Sequence, residues 1–519
     1  MIFTGHVIRT IATHPDGRGR NNRGSVLMLT ILAVLLLTIM AVSIITVTTN
    51  ALYLGKVRRC QTEAFDYAES GAEMATIWFR NQSSAPSTLS DFDPFGGAQT
   101  LEGGEYEVTV HPDPDNGAHY LKTYTITSVG TAAGNSKTVE VVIRQATFGR
   151  FAYFTDQEVS SISGGTIWWK AGEICDGPAH SNNTSGSNFH INYNGSTAPI
   201  FRDMLTGSGP SISYQPSSPT DEATYRRIFE DGSTGYKLGV PRIELPESTT
   251  VQRNAAWGGS SGFPGSNGVY VKANSNNGGI YVRGDCSMLL SRDGSGAQRI
   301  AITQGGNTTT MVVNLGNQTT TITKPNGTTE TQALPNGVIY CTGNITSLKG
   351  VVADNRVVSG EIDKRMAMTI ATDVTNGKDI TITDDLTYYT TPDKTQPASD
   401  SDNLRAGTLG LVAEDIKISS SAPRYLEIDA VCLAGGRDTS AGSFYVQNWD
   451  SRQPTGTLSV LGGIIQKARG PVGTFNSSTG NMTTGFAKNY SYDPRLAEDP
   501  PPYFPTTGTY ERLSWRVVP

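Results

Sequence analysis

Charge and cysteine are both scarce in this sequence. Asp, Glu, Lys and Arg make up 17% of 519 residues, and the formal net charge is −6. No cationic surface of the kind that neutralises phosphates is in prospect, so nucleic acid is not an expected partner. The five cysteines (Cys60, Cys175, Cys286, Cys341 and Cys432) are an odd number without C-x-x-C spacing, which argues against a zinc site. In an oxidising compartment one or two disulfides among the last four are open, and their pairing is not set by the sequence. The chain also lacks G-x-S-x-G, a Walker loop and H-E-x-x-H. No catalytic constellation, cofactor or metal-ligand set is expected, and the chain does not read as an enzyme.

Between Arg23 and Lys56 there is no charge at all. Residues 25–47 form an apolar run, and about 20 such residues span a hydrocarbon core as a helix. Arg9, Arg18, Arg20 and Arg23 precede the run against one Asp16. The positive-inside bias therefore holds the leader, 1–24, in the cytoplasm and places the bulk of the chain outside, with membrane lipid as first partner. A cleavable secretory signal is the competing reading. Its apolar core is about 7–15 residues with a small-x-small site behind it, whereas this run is longer and enters Thr46-Val47-Thr48 without one.

Beyond Lys56 the helical pattern continues. Ala64, Phe65, Ala68, Ala72, Ala75 and Phe79 recur at three- and four-residue spacings, and polar residues before Pro86 end the helix. Three strand-like runs follow at 106–110, 120–129 and 137–144, with turn chemistry between them. An antiparallel sheet laid on the outer half of the helix is the expected α+β unit, spanning 25–146.

Arg23-Gly24 ahead of an uncharged helix, with Ala68-Glu69-Ser70-Gly71-Ala72 about twenty residues past it, resembles the N-terminal region of PilX-type type IV pilus minor pilins. The resemblance implies that prepilin peptidase cuts between Gly24 and Ser25. It also implies that the helix anchors the subunit in the membrane and then packs with other pilins and pilus assembly proteins in a filament. Two residues depart from the usual pilin pattern. Ser25 stands where Phe or Met is usual, and Leu29 stands at the mature fifth position in place of Glu. The second departure is shared with PilX-type and K-type pseudopilin relatives.

The remainder, 147–519, reads as a large β-rich body. Gly268-Val-Tyr-Val, Gly279-Ile-Tyr-Val and Gly337-Val-Ile-Tyr are similar short strands opened by glycine. Many further short runs separated by Gly, Asn and Asp predict a β-solenoid or a large sandwich, without a clean repeat. Pro325-Asn326-Gly327 between threonine-rich runs predicts a projecting hairpin. The stretches from Gly177 and from Asn489 resemble a domain of unknown function attached to pilin-like proteins, which carries no known activity.

Other candidate residues have structural readings that outweigh the chemical ones. His180 and His190 are expected in a polar loop, with His180 hydrogen-bonded rather than bound to metal. The loop 113–117 lacks the ligand pattern of a calcium site. Asp384, Asp385, Asp400 and Asp402 read as solvated turn carboxylates, and Arg283-Gly284-Asp285 as the end of a strand. Three functions stay open: a minor, tip-located subunit of a type IV pilus or secretion pseudopilus; a surface adhesin binding glycans through exposed Trp168, Trp169, Trp257 and Trp449; and an anchored polysaccharide-active β-helix enzyme.

Overall fold

The computed structural model describes residues 23–518 except 83, 118–119, 161, 195–196, 275–276 and 437–440. Arg9, Arg18 and Arg20 of the expected leader lie outside the described residues. The first element, α1 (Arg23–Arg80), is a single helix of 58 residues, about 87 Å long at 1.5 Å per residue. It ends where the Asn81 N–H turns back to the Ile77 and Trp78 carbonyls.

The outer half of α1 lies on an antiparallel sheet. Strands β1 (Gln99–Leu101), β2 (Gly104–Pro112), β3 (Thr123–Ala132) and β4 (Asn135–Thr147) pair in sequence order. The three expected strands are β2, β3 and β4. A further strand, Thr506–Val518, returns from the far end of the chain and pairs antiparallel with β4. The small sheet is thus completed by residues more than 350 positions away, such as Trp515 opposite Val141.

Between those two strands the chain forms a β-rich body of parallel coils, the arrangement of a solenoid rather than a sandwich. Its longest stack is parallel from Tyr236–Leu238 to Ile280–Arg283, where Gly268–Val271 adds one antiparallel strand. Tyr153–Gln157 lies at its middle, between Gly456–Ala468 on one side and Ala179–Ser181 on the other. Leu205–Gly207 and Tyr236–Leu238 extend it one way. Tyr425–Ala434, Thr408–Ala413, Ala367–Thr372, Val338–Cys341 and Ile280–Arg283 extend it the other way. The chain enters mid-stack, runs to one end, crosses back through 239–267 and restarts at the opposite end. Among the described residues the coil order is broken once, where Ile464 pairs with Tyr153.

Burial on both faces explains the apolar runs of this stack. Its inner face joins the solenoid core, while Phe154, Tyr281, Tyr340, Val412 and Leu433 face a second cluster with Ala256 and Phe504. Thr408–Ala413 is accordingly buried at every position, as expected for a covered parallel strand. Two further stacks close each coil, for example Ile345, Ile380 and Ile416 in one, and Leu386 and Ile428 in the other. Gly462, with φ +143°, lies against the Ala430 carbonyl where Gly456–Ala468 bends from one stack to the next. The predicted hairpin is present as Thr319–Thr323 paired with Thr329–Ala333, the outer half of an antiparallel meander.

The single break in coil order is filled with buried charge. Arg469 and Glu158, each 1% exposed, pair at 3.2 Å. Lys488 donates to Glu173 at 3.0 Å and lies 4.8 Å from the Trp169 ring. Gln466 donates to the Tyr153 hydroxyl at 3.1 Å and accepts from the Phe444 and Gly470 N–H groups. Burial pushes the Glu158 carboxyl up against the opposing effect of Arg469, and lowers Lys488 to about 8.

A different buried acid makes stability depend on pH. Asp429 accepts the Tyr388 N–H at 2.9 Å, facing Glu427, Asp493 and Arg495, and burial raises it to about 7. The unfolded value is about 3.9, so between these values the native chain holds a proton that the unfolded chain has lost. Its contribution is complete below pH 4 and is lost as pH rises through 7. Asp429→Asn is expected to raise the urea midpoint at pH 8 and leave it unchanged at pH 4. Equal shifts at both pH values would contradict this.

Candidate assembly surface

The functional surface expected from the sequence is α1 itself. Residues 25–56 are exposed along their whole length, including Ser25 and Leu29, the latter 70% exposed. The helix is long and apolar enough to cross a membrane by length and composition. Four of its threonines are matched to that setting. Thr30, Thr38, Thr46 and Thr48 return their hydroxyls to the carbonyls of Leu27, Leu35, Val42 and Ile44 at 2.7–2.8 Å. A hydroxyl bonded within its own helix needs no water, which hydrocarbon does not supply. Gly24 lies in the first turn of α1, one residue inside its start.

From Cys60 onward the same helix acquires a buried face. Ala64 is buried, and Ala68, Ala72, Ala75 and Phe79 pack against Tyr106, Val108, Tyr124, Ile126, Val139 and Val141. Small residues set the approach. A Cβ at Gly130 on β3 would overlap the Ala64 carbonyl and the Ala68 nitrogen, and one at Gly71 would overlap Ser128 and Tyr106. The Ala68–Ala72 motif therefore lies where helix and sheet approach closely.

The other candidate residues serve the solenoid. His180 sits in the strand Ala179–Ser181 and His190 in Ser187–Asn192, not in a loop. Short strands framed by Asn, Ser and Gly are the unit of a coil, and this framing looks like loop composition. Thr206 and Asn182 occupy the two His180 nitrogens at 2.8 and 3.0 Å, and burial lowers both histidines, His190 to about 4. Asp285 accepts the Asn344 N–H, Asp385 the Glu427 N–H, and Asp400 caps the helix Ser401–Arg405. Among the described residues no three of His, Cys, Asp and Glu are placed to share an ion.

The tryptophans depart from expectation. Trp169 is fully buried between Arg469 and Lys488, and Trp168, Trp257 and Trp449 are half-buried. Trp169, fully enclosed, is therefore no platform for a sugar.

Neither the protein-family models nor the curated proteins include a match to this chain. Among solved structures, the competence-associated pilin ComZ from Thermus thermophilus is similar over 88% of this chain and 97% of its own length. The two share 12% identity with a TM-score of 0.32. A likeness that loose transfers no role.

One surface escaped the sequence reading. Along Thr506–Val518 the side chains of Leu513, Trp515 and Val517 are 39–48% exposed, and Trp515 meets Phe65 of α1 edge-on at 6.2 Å. A groove of about 340 Å³ runs between them, lined by Glu69, Glu73, Arg80, Arg512 and Trp515 among others. The alternation of Leu513, Trp515 and Val517 was the available signal for a strand. Its pairing with β4 had no local signature.

Proposed function

We propose that this chain is a minor type IV pilin-like subunit, held in the membrane by the first half of α1 and carrying its solenoid outside. The observation that carries this reading is the two-part helix. One unbroken element presents a fully exposed, charge-free half and then a half docked by small residues onto an antiparallel sheet. Such an apolar half must be covered by lipid or by other helices. A filament subunit uses both covers in turn, the bilayer before assembly and neighbouring pilins after it. Cleavage between Gly24 and Ser25 by prepilin peptidase belongs to the same reading, as do a cytoplasmic leader and a surface-exposed body.

Leu29 and the bulk of the outer body support a position at the filament tip. In pilins with glutamate at mature position five, the resemblance implies, that carboxylate neutralises the terminal amine of the preceding subunit. An unpaired amine in hydrocarbon costs several kcal/mol. Leu29 offers no carboxylate, a deficit without consequence for the first subunit, which has no predecessor. Gold-labelled antibody against the solenoid is expected to mark filament ends. Uniform decoration along the shaft would refute tip placement.

A further inference from the structure

Two cysteines left without a role by the anchor and the sheet meet at one corner of the solenoid. Ile280–Arg283 and Val338–Cys341 stack in parallel register, with Val282 opposite Cys341. The next strand of each coil repeats the stacking, with Cys286 opposite Ile345. The corners joining these strands are tied together. Asp285 accepts the Asn344 N–H at 2.7 Å, the Gly284 N–H bonds to the Thr342 hydroxyl at 3.0 Å, and the Cys286 N–H bonds to the Asn344 carbonyl at 3.0 Å. This lacing brings the Cys286 and Cys341 sulfurs to 3.7 Å, both buried. The other three thiols do not share this arrangement: Cys60 lies on α1, Cys175 faces the Gly177 carbonyl, and Cys432 lies in the inner core.

We propose that Cys286 and Cys341 are a disulfide pair, closing the base of the antiparallel meander and joining two consecutive coils. The sulfurs need about 1.7 Å of mutual approach to reach the bonded distance of about 2.05 Å, which χ1 rotation of the two side chains with a small backbone adjustment must supply. The residues between them include the whole meander from Gln298–Gln304 to Thr329–Ala333, so the bond ties both of its feet to the solenoid. In the reaction the Cys286 thiolate attacks a small-molecule disulfide of the glutathione class, forming a mixed disulfide and releasing one thiolate. The Cys341 thiolate then displaces the second. Two protein thiols lose two electrons and two protons, and the oxidant is reduced to two thiols. The hydrogen bond with the Cys341 sulfur, and after it burial, push the Cys286 thiol well above its ordinary range. Thiolate is therefore scarce once the coils have closed, and the bond forms as they fold.

The full-length chain in detergent, unfolded with urea and reductant, is refolded in oxidised and reduced glutathione, then denatured again without reductant, blocked with iodoacetamide and digested. Mass spectrometry is expected to find the Cys286 and Cys341 peptides joined and two hydrogens lighter, with Cys60, Cys175 and Cys432 alkylated. Both thiols alkylated after refolding, or either joined to a different cysteine, overturns the pairing. Cys286→Ser is expected to leave Cys341 fully alkylated, and Cys341→Ser to do the same for Cys286. That the chain meets an oxidant in its own cells rests on the extracytoplasmic placement proposed above. Material extracted from those cells with thiols blocked at lysis is expected to carry the same bond. If the thiols are free there yet joined in glutathione, the placement fails while the pairing stands.

Discussion

Arg469→Met is expected to destabilise the solenoid by about 3–5 kcal/mol, the cost of leaving one member of a buried pair uncompensated. Glu158 would then be a buried carboxylate retaining its contact with the Thr155 hydroxyl but no cation. The methionine side chain would still fill space beside Tyr153 and Trp169, so the loss would report charge rather than volume. Combining it with Glu158→Gln removes the stranded charge and should recover part of the stability. The position of the pair explains its weight. It joins residues more than 300 positions apart at the one place where coil order breaks, and a register slip there would leave both charges unmatched. Urea unfolding followed by tryptophan fluorescence, to which Trp169 contributes, reads both effects. A loss below about 1 kcal/mol in the single variant would mean that the pair does not lock the junction.

Gly130→Val is expected to lift the outer half of α1 from its sheet. The new side chain would meet backbone atoms of Ala64 and Ala68, which cannot turn aside as a flexible side chain can. Overpacking of this kind costs about 1–3 kcal/mol, more where backbone must move. Cys60 supplies a local readout because it is buried at the start of the docked half. Its alkylation should be slow in the unaltered chain and at least tenfold faster in the variant. Gly134→Val, at a turn where a Cβ meets open space but φ is +79°, controls for backbone strain alone. Equal Cys60 protection in all three chains would contradict the close-approach account.

Much of the fold was legible where the signal is local. The alanine stripe of α1, the three strands β2 to β4 and the hairpin at Pro325-Asn326-Gly327 follow from spacing and turn chemistry over short windows. The likeness of Gly279-Ile-Tyr-Val to Gly337-Val-Ile-Tyr marked two strands that stack, with Ile280 on Ile339 and Tyr281 on Tyr340. What stayed hidden depends on distant pairing. Strands beginning at Tyr153, Ala179 and Leu205 recur evenly, but the meander between Ile280–Arg283 and Val338–Cys341 destroys any fixed repeat. Neither the return of Thr506–Val518 to β4 nor the docking of Ile464 on Tyr153 has a local signature. The burial of Trp169 follows from that docking, since Lys488 and Arg469 reach it only across the junction. For the assembly surface, the sequence supplied the charge-free run and the motif at Ala68–Ala72, while the structure supplied the contacts that make the motif's small residues necessary.

The reading of α1 as a processed anchor is tested most directly by the N-terminus of the chain extracted from the membranes of its own cells. Intact-mass and N-terminal peptide analysis is expected to show a mature chain beginning at Ser25, with Leu29 fifth. A chain that keeps the residues ahead of Gly24 while prepilin peptidase is active, or one cut beyond the apolar run near Ala51, would contradict it.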